Sequence, residues 1–267
     1  MRRLIALGSL TGAPGVTTAA LALASCWPHV ASDGRPVVVE ANVWGGDLAT
    51  RCGVPHSPGL LDVAATARQP HPGSLLGAVA ELPCGVRAVL APAGRPACRE
   101  AVRVLAGEQG RAVLTGGEGD RGTVLLDLGR LGEHSDELVA AADHILLVTT
   151  GTPEALTHVR AHLLATRAAP SWATVVVVGP CPYSGQEIAQ ALDVERVWHL
   201  PWDPKTVSSF AARRAIPPPS RFRTPPLMAA SLELARRIAA SLPSGEQQPK
   251  DLPGQLRSAV AERRTTA

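Results

Sequence analysis

The sequence lacks the features that mark several common classes of protein. Its five scattered cysteines form no CxxC pair, which argues against a disulfide framework or a zinc site and favours a reducing cytoplasm. No stretch approaches the roughly 18 uninterrupted apolar residues of a membrane span. The net charge of +3 is too small to indicate a dedicated nucleic-acid binder. Lysine occurs only at Lys205 and Lys250, and we interpret this excess of arginine as a compositional bias.

What the sequence does have is enough apolar material for one large core, since 45% of its 267 residues are hydrophobic. The chain starts MRRLIALGSL, where two arginines precede a short apolar run that leads straight into a glycine-containing loop. A signal peptide has a longer apolar stretch and a small-residue cleavage site. We therefore expect this start to be the first strand of a cytoplasmic domain.

Apolar runs of strand length alternate with helical patterns along the chain. Near-continuous Val, Leu and Ile runs are typical of strands buried on both faces. Their alternation with helices predicts an α/β fold, a doubly wound and mostly parallel sheet flanked by helices. The predicted strands are 4–10, 36–42, 86–92, 123–129, 144–150, 172–179 and 196–201. The predicted helices are 17–27, 97–107, 153–167, 184–192 and 226–242.

The last part of the chain has a different composition. Residues 216–226 are rich in proline and cannot form a regular helix, and residues 243–267 are polar and predicted to be disordered. The sequence thus predicts one α/β domain, residues 1–241, followed by a C-terminal tail, residues 242–267. The tail has few large apolar residues, so we expect no stable membrane anchoring.

The turn after the first predicted strand reads GSLTGAPGVTT (8–18). At this place in an α/β sheet, backbone N–H groups and a helix N-terminus favour a phosphate. A working phosphate loop reads GxxxxGK[ST]; here Gly15 is the last glycine, Val16 stands at the lysine position and Thr17 supplies the hydroxyl. The predicted nucleotide-binding residues are Gly12, Ala13, Gly15, Val16, Thr17 and Thr18.

The loop and five later segments together resemble the ParA/MinD family of deviant Walker P-loop ATPases. Residues 11–18 are similar to KGGxGKTT, and the resemblance covers residues 3–240 in the right order. It implies the P-loop NTPase fold, ATP with Mg2+ as the cofactor, and a homodimer formed through the nucleotide face. The other matching segments are EANVWGGDL (40–48), VRAVLAPAG (86–94), VLLD (124–127), LLVTTGTPEAL (146–156) and HLPWDPKTV (199–207).

Three positions depart from the family pattern. The resemblance places the lysine that reaches a partner's nucleotide at Thr11, the Walker lysine at Val16, and the aspartate that orients the attacking water at Asn42. A charge-assisted hydrogen bond is worth about 1.5–3 kcal/mol, or about 10–100-fold in affinity. A positioned cation contributes about 10³–10⁵ to the rate of phosphoryl transfer. We therefore expect a pseudo-ATPase with weak nucleotide binding or, alternatively, with no cofactor at all.

Other parts of the site are retained. Thr17 and Asp127, which lies in the strand that resembles Walker B, could hold Mg2+ through a hydroxyl and a carboxylate. Plainer interpretations stay open: the glycines make a tight turn, Thr17 caps a helix, and Asp127 ends a strand. Glu40 and Asp47 are then structural polar contacts, and Asn42 is a turn residue.

Three functions fit these residues. The first is a positioning or scaffold factor, by analogy with TadZ/CpaE-type proteins that localise pilus-assembly or secretion ATPases. The second is an active ATPase of the ParA/MinD type that takes its cation from elsewhere, such as Lys205 or an arginine of a partner. The third is a partitioning factor that contacts the DNA backbone through Arg213 and Arg214. We expect a homodimer with a partner protein of a localisation, partitioning or secretion system, and we do not favour DNA as the partner.

Overall fold

The predicted apolar runs form the strands of one sheet in the computed structural model, which describes residues 1–12, 14–27, 34–69, 73–166, 172–211 and 224–241. The strands in these residues are Arg3–Ser9 (β1), Val37–Glu40 (β2), Ala80–Glu81 (β3), Arg87–Val89 (β4), Thr123–Arg130 (β5), His144–Thr150 (β6), Ala173–Val178 (β7) and Val197–Leu200 (β8).

The sheet has eight strands in the order β3-β4-β2-β5-β1-β6-β7-β8. Every neighbouring pair is parallel except β3 and β4, which are antiparallel. Because β1 lies inside the sheet and later strands are added on both sides of it, the predicted doubly wound fold is confirmed. The edge strand β3 was not predicted, since a two-residue strand has no detectable hydrophobic period.

Helices and turns connect the strands. They include five predicted helices and several shorter ones that the sequence patterns did not predict. The helices are Val16–Cys26 (α1), Leu48–Cys52 (α2), Leu60–Ala67 (α3), Arg95–Ala106 (α4), Glu108–Thr115 (α5), Asp136–Ala141 (α6), Pro153–Thr166 (α7), Gly185–Leu192 (α8), Pro204–Ala211 (α9) and Pro226–Ser241 (α10), with a 3₁₀ turn at Leu75–Ala78.

The core consists of two apolar layers, one on each face of the sheet. Because successive side chains of a strand point to opposite faces, Leu4 and Ala6 of β1 pack on the side of α3 to α8. Ile5 and Leu7 pack on the other side, against α1, α2, α9 and α10. The sheet is therefore covered on both faces, as its continuous apolar strands require.

The helix that follows the first strand is itself covered by another helix. In α1, all six residues from Ala19 to Ala24 are buried. The last described helix, α10, packs on it, and the thiol of Cys26 donates to the carbonyl oxygen of Met228 at 3.5 Å. The indole of Trp198 donates to the carbonyl oxygen of Ala230 at 3.1 Å, which holds α10 against β8.

Several sequence predictions fall outside the described residues. These are Ala13 of the loop, Arg213 and Arg214, and the tail 242–267. The domain boundary after residue 241 therefore stays a prediction. Among the described residues, no helix combines the length and the apolar character needed to cross a membrane.

Candidate functional site

The carboxyl ends of three central strands bring the predicted site residues together. In the register of the sheet, Leu7 of β1 and Glu40 of β2 both lie beside Asp127 of β5. The loop that follows β1 therefore begins next to the carboxylate of Asp127. Ligands bind at this edge in open α/β sheets, where the strand order reverses.

The loop between β1 and α1 has a glycine at each of its ends. A Cβ atom at Gly8 would lie 2.3 Å from Cδ2 of Leu131, so a larger residue there would have to displace the side chain of Leu131. Gly15 precedes α1 with φ 93°, in the left-handed region that favours glycine. No side chain caps α1 at Gly15. Its first amides thus remain available to an anion at the helix N-terminus.

The position of the Walker lysine belongs to the core. Val16 is only 5% exposed and packs within the apolar layer that contains α1 and α2. Thr11, at the other lysine position, is half-buried, and its carbonyl oxygen accepts a hydrogen bond from the hydroxyl of Ser9. Gly12 is exposed, and no atom lies within 4 Å of the place where its Cβ would be. The loop therefore keeps its backbone features without its cations.

Asp127 is fully buried, and its two oxygens have unequal surroundings. Oδ1 accepts the N–H of Gly129 at 3.1 Å, and the carboxylate also accepts the hydroxyl of Thr17. Oδ2 is buried with no hydrogen-bond partner. Burial raises the pKa of Asp127 to about 6, and the hydrogen bond from Thr17 opposes this rise.

The unpaired oxygen of Asp127 bears on the question of a metal. A buried acceptor without a partner is costly, and Mg2+ prefers carboxylate and hydroxyl oxygens. Asp127 and Thr17 are already in contact, so these residues fit a magnesium ion. The amides at Gly15 and α1 likewise fit a phosphate, but Thr11 and Val16 supply no charge to hold it.

Glu40 is also buried, but its carboxylate is saturated by backbone amides. Oε1 accepts the N–H groups of Asp47 at 2.8 Å and Leu48 at 3.1 Å, and Oε2 accepts the N–H of Ala91 at 3.0 Å. Burial raises the pKa of Glu40, and these three hydrogen bonds oppose the rise. Glu40 therefore joins the loops after β2 and β4, as its interpretation as a structural contact predicts.

Asn42, at the position of the family's aspartate, begins a turn. Its carbonyl oxygen accepts the N–H of Gly45, and its side-chain Oδ1 accepts the N–H of Trp44 at 3.1 Å. The guanidinium of Arg95 lies 4.0 Å from the centre of the Trp44 ring, although 52% of Trp44 is exposed. Asn42 thus matches its interpretation as a turn residue.

Several features of this edge had no detectable signal in the sequence. The three-amide contact of Glu40 joins residues 51 positions apart. The packing of Arg95 on Trp44 likewise joins two segments that are far apart in the sequence. Lys205, considered from sequence as a substitute cation, lies at the start of α9.

Comparison with solved structures shows several similar chains. MinD, a cell division ATPase from Pyrococcus furiosus, has a TM-score of 0.67 and 18% identity, over 90% of this chain and 99% of that one. A ParA family ATPase from Chlorobium tepidum has a TM-score of 0.62 and 15% identity, over 98% and 96%. The septum site-determining protein MinD from Pyrococcus horikoshii, complexed with Mg-ADP, has a TM-score of 0.62 and 15% identity, over 90% and 99%.

The fold is that of the MinD and ParA-family ATPases. No family model matches the sequence, and no curated protein matches it significantly. The comparisons therefore show the likeness to the MinD/ParA fold through the structure. The loop after β1, with Gly15 and Thr17, stays a predicted phosphate loop.

Proposed function

We propose that this chain is a degenerate member of the MinD/ParA group that acts as a positioning or scaffold factor, with weak or lost nucleotide binding and little ATP hydrolysis. The burial of Val16 carries this proposal. A valine that packs in the core offers no charge to a phosphate, and we infer that it serves packing where the family has a phosphate-binding lysine. The engaged side chain of Asn42 points the same way, because its Oδ1 already accepts a backbone amide.

The retained residues define what the site could still bind. Thr17 and Asp127 would hold Mg2+, which supplies positive charge next to a phosphate when it is bound. Gly15 and the first amides of α1 would hold the phosphate itself. Two absent lysines each remove a charge-assisted hydrogen bond of about 1.5–3 kcal/mol. Such effects are not additive, but both weaken binding.

The similar structures support a positioning role. The names of those proteins connect them with cell division, septum-site determination and the ParA family. We infer a cytoplasmic homodimer, paired through the nucleotide face, that acts with a partner protein of a localisation, partitioning or secretion system. The analogy with TadZ/CpaE-type proteins suggests a pilus or secretion ATPase as that partner.

Turnover of labelled ATP with Mg2+ tests the loss of hydrolysis. We expect the purified protein to show no phosphate release above the level of an Asp127→Ala variant. Release that disappears in Asp127→Ala would contradict the proposal. It would favour the second candidate, an active ATPase of the ParA/MinD type, which the intact contact between Thr17 and Asp127 supports.

Restoring both lysines tests whether the loop keeps its shape. The double change Thr11→Lys with Val16→Lys is expected to increase the affinity for ATP, measured by calorimetry. Because Val16 is buried, the matched control is Thr11→Lys with Val16→Met, which enlarges the side chain without adding the second charge. If neither variant binds ATP more tightly than wild type, the loop has lost phosphate recognition, and a gain for the double lysine variant alone would assign it to position 16.

A DNA-binding role would depend on Arg213 and Arg214, which lie outside the described residues. DNA affinity that falls steeply with salt, and is lost when both arginines are replaced by alanine, would favour a partitioning factor. We expect no such loss.

A further inference from the structure

The loops that follow β2 and β4 are joined into one surface at the carboxyl edge of the sheet. Gly45 and Ala93 form an antiparallel bridge, and the N–H of Gly46 donates to the carbonyl oxygen of Pro92 at 3.0 Å. The carboxylate of Glu40 adds a third link, because it accepts amides from both loops. The two loops therefore hold each other in one arrangement.

Each of these loops carries an exposed side chain that contacts the other loop. Trp44 lies next to the bridge in the first loop and is 52% exposed. Arg95 ends the second loop, and its guanidinium lies over the Trp44 ring, 4.0 Å from the ring centre. Arginine stacks on aromatic rings through the face of its planar guanidinium. The N–H donors lie in that plane, so this contact leaves them free to bind a ligand.

A second pair of the same kind has a different setting. The guanidinium of Arg237 lies 5.2 Å from the centre of the Trp198 ring, but it also pairs with Glu233 at 3.3 Å. Trp198 is half-buried, and its indole donates to a backbone carbonyl of α10. That pair serves the packing of α10. Arg95 forms no ion pair in the part of the chain that the structure describes, and its ring partner is largely open to solvent.

The surroundings of the Trp44–Arg95 pair are positively charged. The two segments 41–52 and 90–99 contain one exposed acidic residue, Asp47, and three exposed arginines, Arg51, Arg95 and Arg99. Helix α4 begins at Arg95, where no side chain caps it and no acidic residue lies in its first turn. The amino end of a helix carries a partial positive charge that favours an anion. The surface therefore complements negative charge.

We propose that Trp44 and Arg95 form a docking site for an acidic segment of a partner protein. A carboxylate of the segment binds the guanidinium of Arg95 through two parallel hydrogen bonds, and an adjacent apolar side chain packs on the Trp44 ring. Tryptophan and arginine are among the residues that most often dominate the energy of an interface. Because the two loops are already joined, binding orders little new structure.

This inference goes beyond the proposed function, since it requires neither a nucleotide nor a metal at the loop after β1. It rests on the contact between Trp44 and Arg95 and on the charge around it. The small net charge of the chain favours an acidic protein segment over a nucleic acid as the ligand.

Peptide binding, measured by fluorescence anisotropy, tests the docking site. The probe is the peptide Glu-Glu-Phe-Glu-Glu with an uncharged fluorescent label, and Lys-Lys-Phe-Lys-Lys with the same label is its control. The proteins compared are wild type, Arg95→Ala, Trp44→Ala, the double variant and Arg121→Ala. Arg121 is an exposed arginine just before β5, at the opposite edge of the sheet, so its removal changes the net charge equally.

We expect wild type to bind the acidic peptide more tightly than the basic one, with an affinity that falls as salt is added. Arg95→Ala should weaken this binding by about 10–100-fold, and Arg121→Ala should bind like wild type. Trp44→Ala should also weaken it, because the guanidinium loses the ring that holds it. The losses in the double variant should be less than additive, as for residues that act together.

Three results would overturn the proposal. In the first, wild type binds the acidic peptide no more tightly than the basic one. In the second, Arg95→Ala binds it as well as Arg121→Ala does. In the third, the losses of the two single variants add fully, so that Trp44 does not position Arg95. Thermal unfolding checks each variant, and a purely structural role would lower the melting temperature without changing the preference for the acidic peptide.

Other occupants of the surface give different results. Tighter binding of a single-stranded oligothymidylate than of the acidic peptide, lost in Arg95→Ala, would replace the protein partner by a nucleic acid. A dimer that dissociates in Arg95→Glu, without peptide binding by wild type, would replace it by a second copy of this chain. Each of these results overturns the acidic segment. The turnover of ATP is measured separately, so the failure of either proposal leaves the other in place.

Discussion

Two buried carboxylates lie side by side at the centre of this molecule, and their surroundings differ. Glu40 and Asp127 are register partners on neighbouring strands, and each is at most 2% exposed. Both oxygens of Glu40 accept backbone amides, whereas Oδ2 of Asp127 has no partner. The first carboxylate joins two loops, and the second has a buried acceptor that no described group satisfies. We call Glu40 the structural acid and Asp127, after its proposed role, the binding acid.

Removing the structural acid is expected to have the largest effect. Glu40→Ala leaves the amides of Asp47, Leu48 and Ala91 without their acceptor, at about 1–3 kcal/mol for each one that stays buried. We expect the free energy of unfolding to fall by about 3–5 kcal/mol, measured by urea denaturation. Glu40→Gln keeps one oxygen acceptor and should lose less. Equal losses in the two variants would mean that the hydrogen bonds are not what Glu40 contributes.

Neutralising the binding acid is expected to stabilise the fold, whereas removing the structural acid destabilises it. The folded state holds the proton of Asp127 with a pKa of about 6, against an ordinary value of 3.8. Stability is therefore lost as the pH rises from about 4 to about 6, and the full cost remains above that range. Asp127→Asn should raise the free energy of unfolding by about 1–3 kcal/mol at pH 7.5.

The same variant should have little effect near pH 4, because the carboxyl of Asp127 is then protonated in the folded state. Thermal unfolding across this pH range measures the difference. A destabilised Asp127→Asn at pH 7.5 would show that the unpaired oxygen carries no cost.

A larger residue at Gly46, which would crowd the structural acid, should change the free energy of unfolding less. A methyl group at Gly46 would lie 2.2 Å from Oε2 of Glu40 and 2.6 Å from the carbonyl oxygen of Ala91. Gly46→Ala is thus expected to lower the free energy of unfolding by about 2 kcal/mol. Gly12→Ala is the matched control, since open space surrounds that position. Equal stabilities of the two variants would contradict the tight contact.

Adding magnesium should produce the smallest change in stability, and this change should require the binding acid. At ten times its dissociation constant, Mg2+ stabilises a folded protein by about 1.4 kcal/mol. We expect this shift in thermal unfolding for wild type and its absence in Thr17→Ala and Asp127→Asn. A shift that persists in both variants would place the metal elsewhere.

The strands were predictable because they are near-continuous apolar runs, and the predicted strand 144–150 matches β6 at both ends, but other ends were not predicted. The predicted strand 36–42 ends at Glu40 in the structure, since the chain turns at Asn42 to meet the loop after β4. Short elements such as α2 and β3 have too few residues for a periodic signal. The glycine spacing and Thr17 predicted a phosphate loop between β1 and α1. The unequal partners of Glu40 and Asp127 depend on contacts between distant segments, which no local pattern records.

The packing of α10 on α1 also has a practical consequence for labelling this protein. Most of α1 is apolar, and α10 covers it. A truncation before Pro226 would therefore expose an apolar, alanine-rich surface of α1. Loss of solubility after such a cut would reflect this exposed surface and not a lost ligand. Fluorescent tags and fusion partners are therefore best attached beyond Ser241, where the covering helix stays whole.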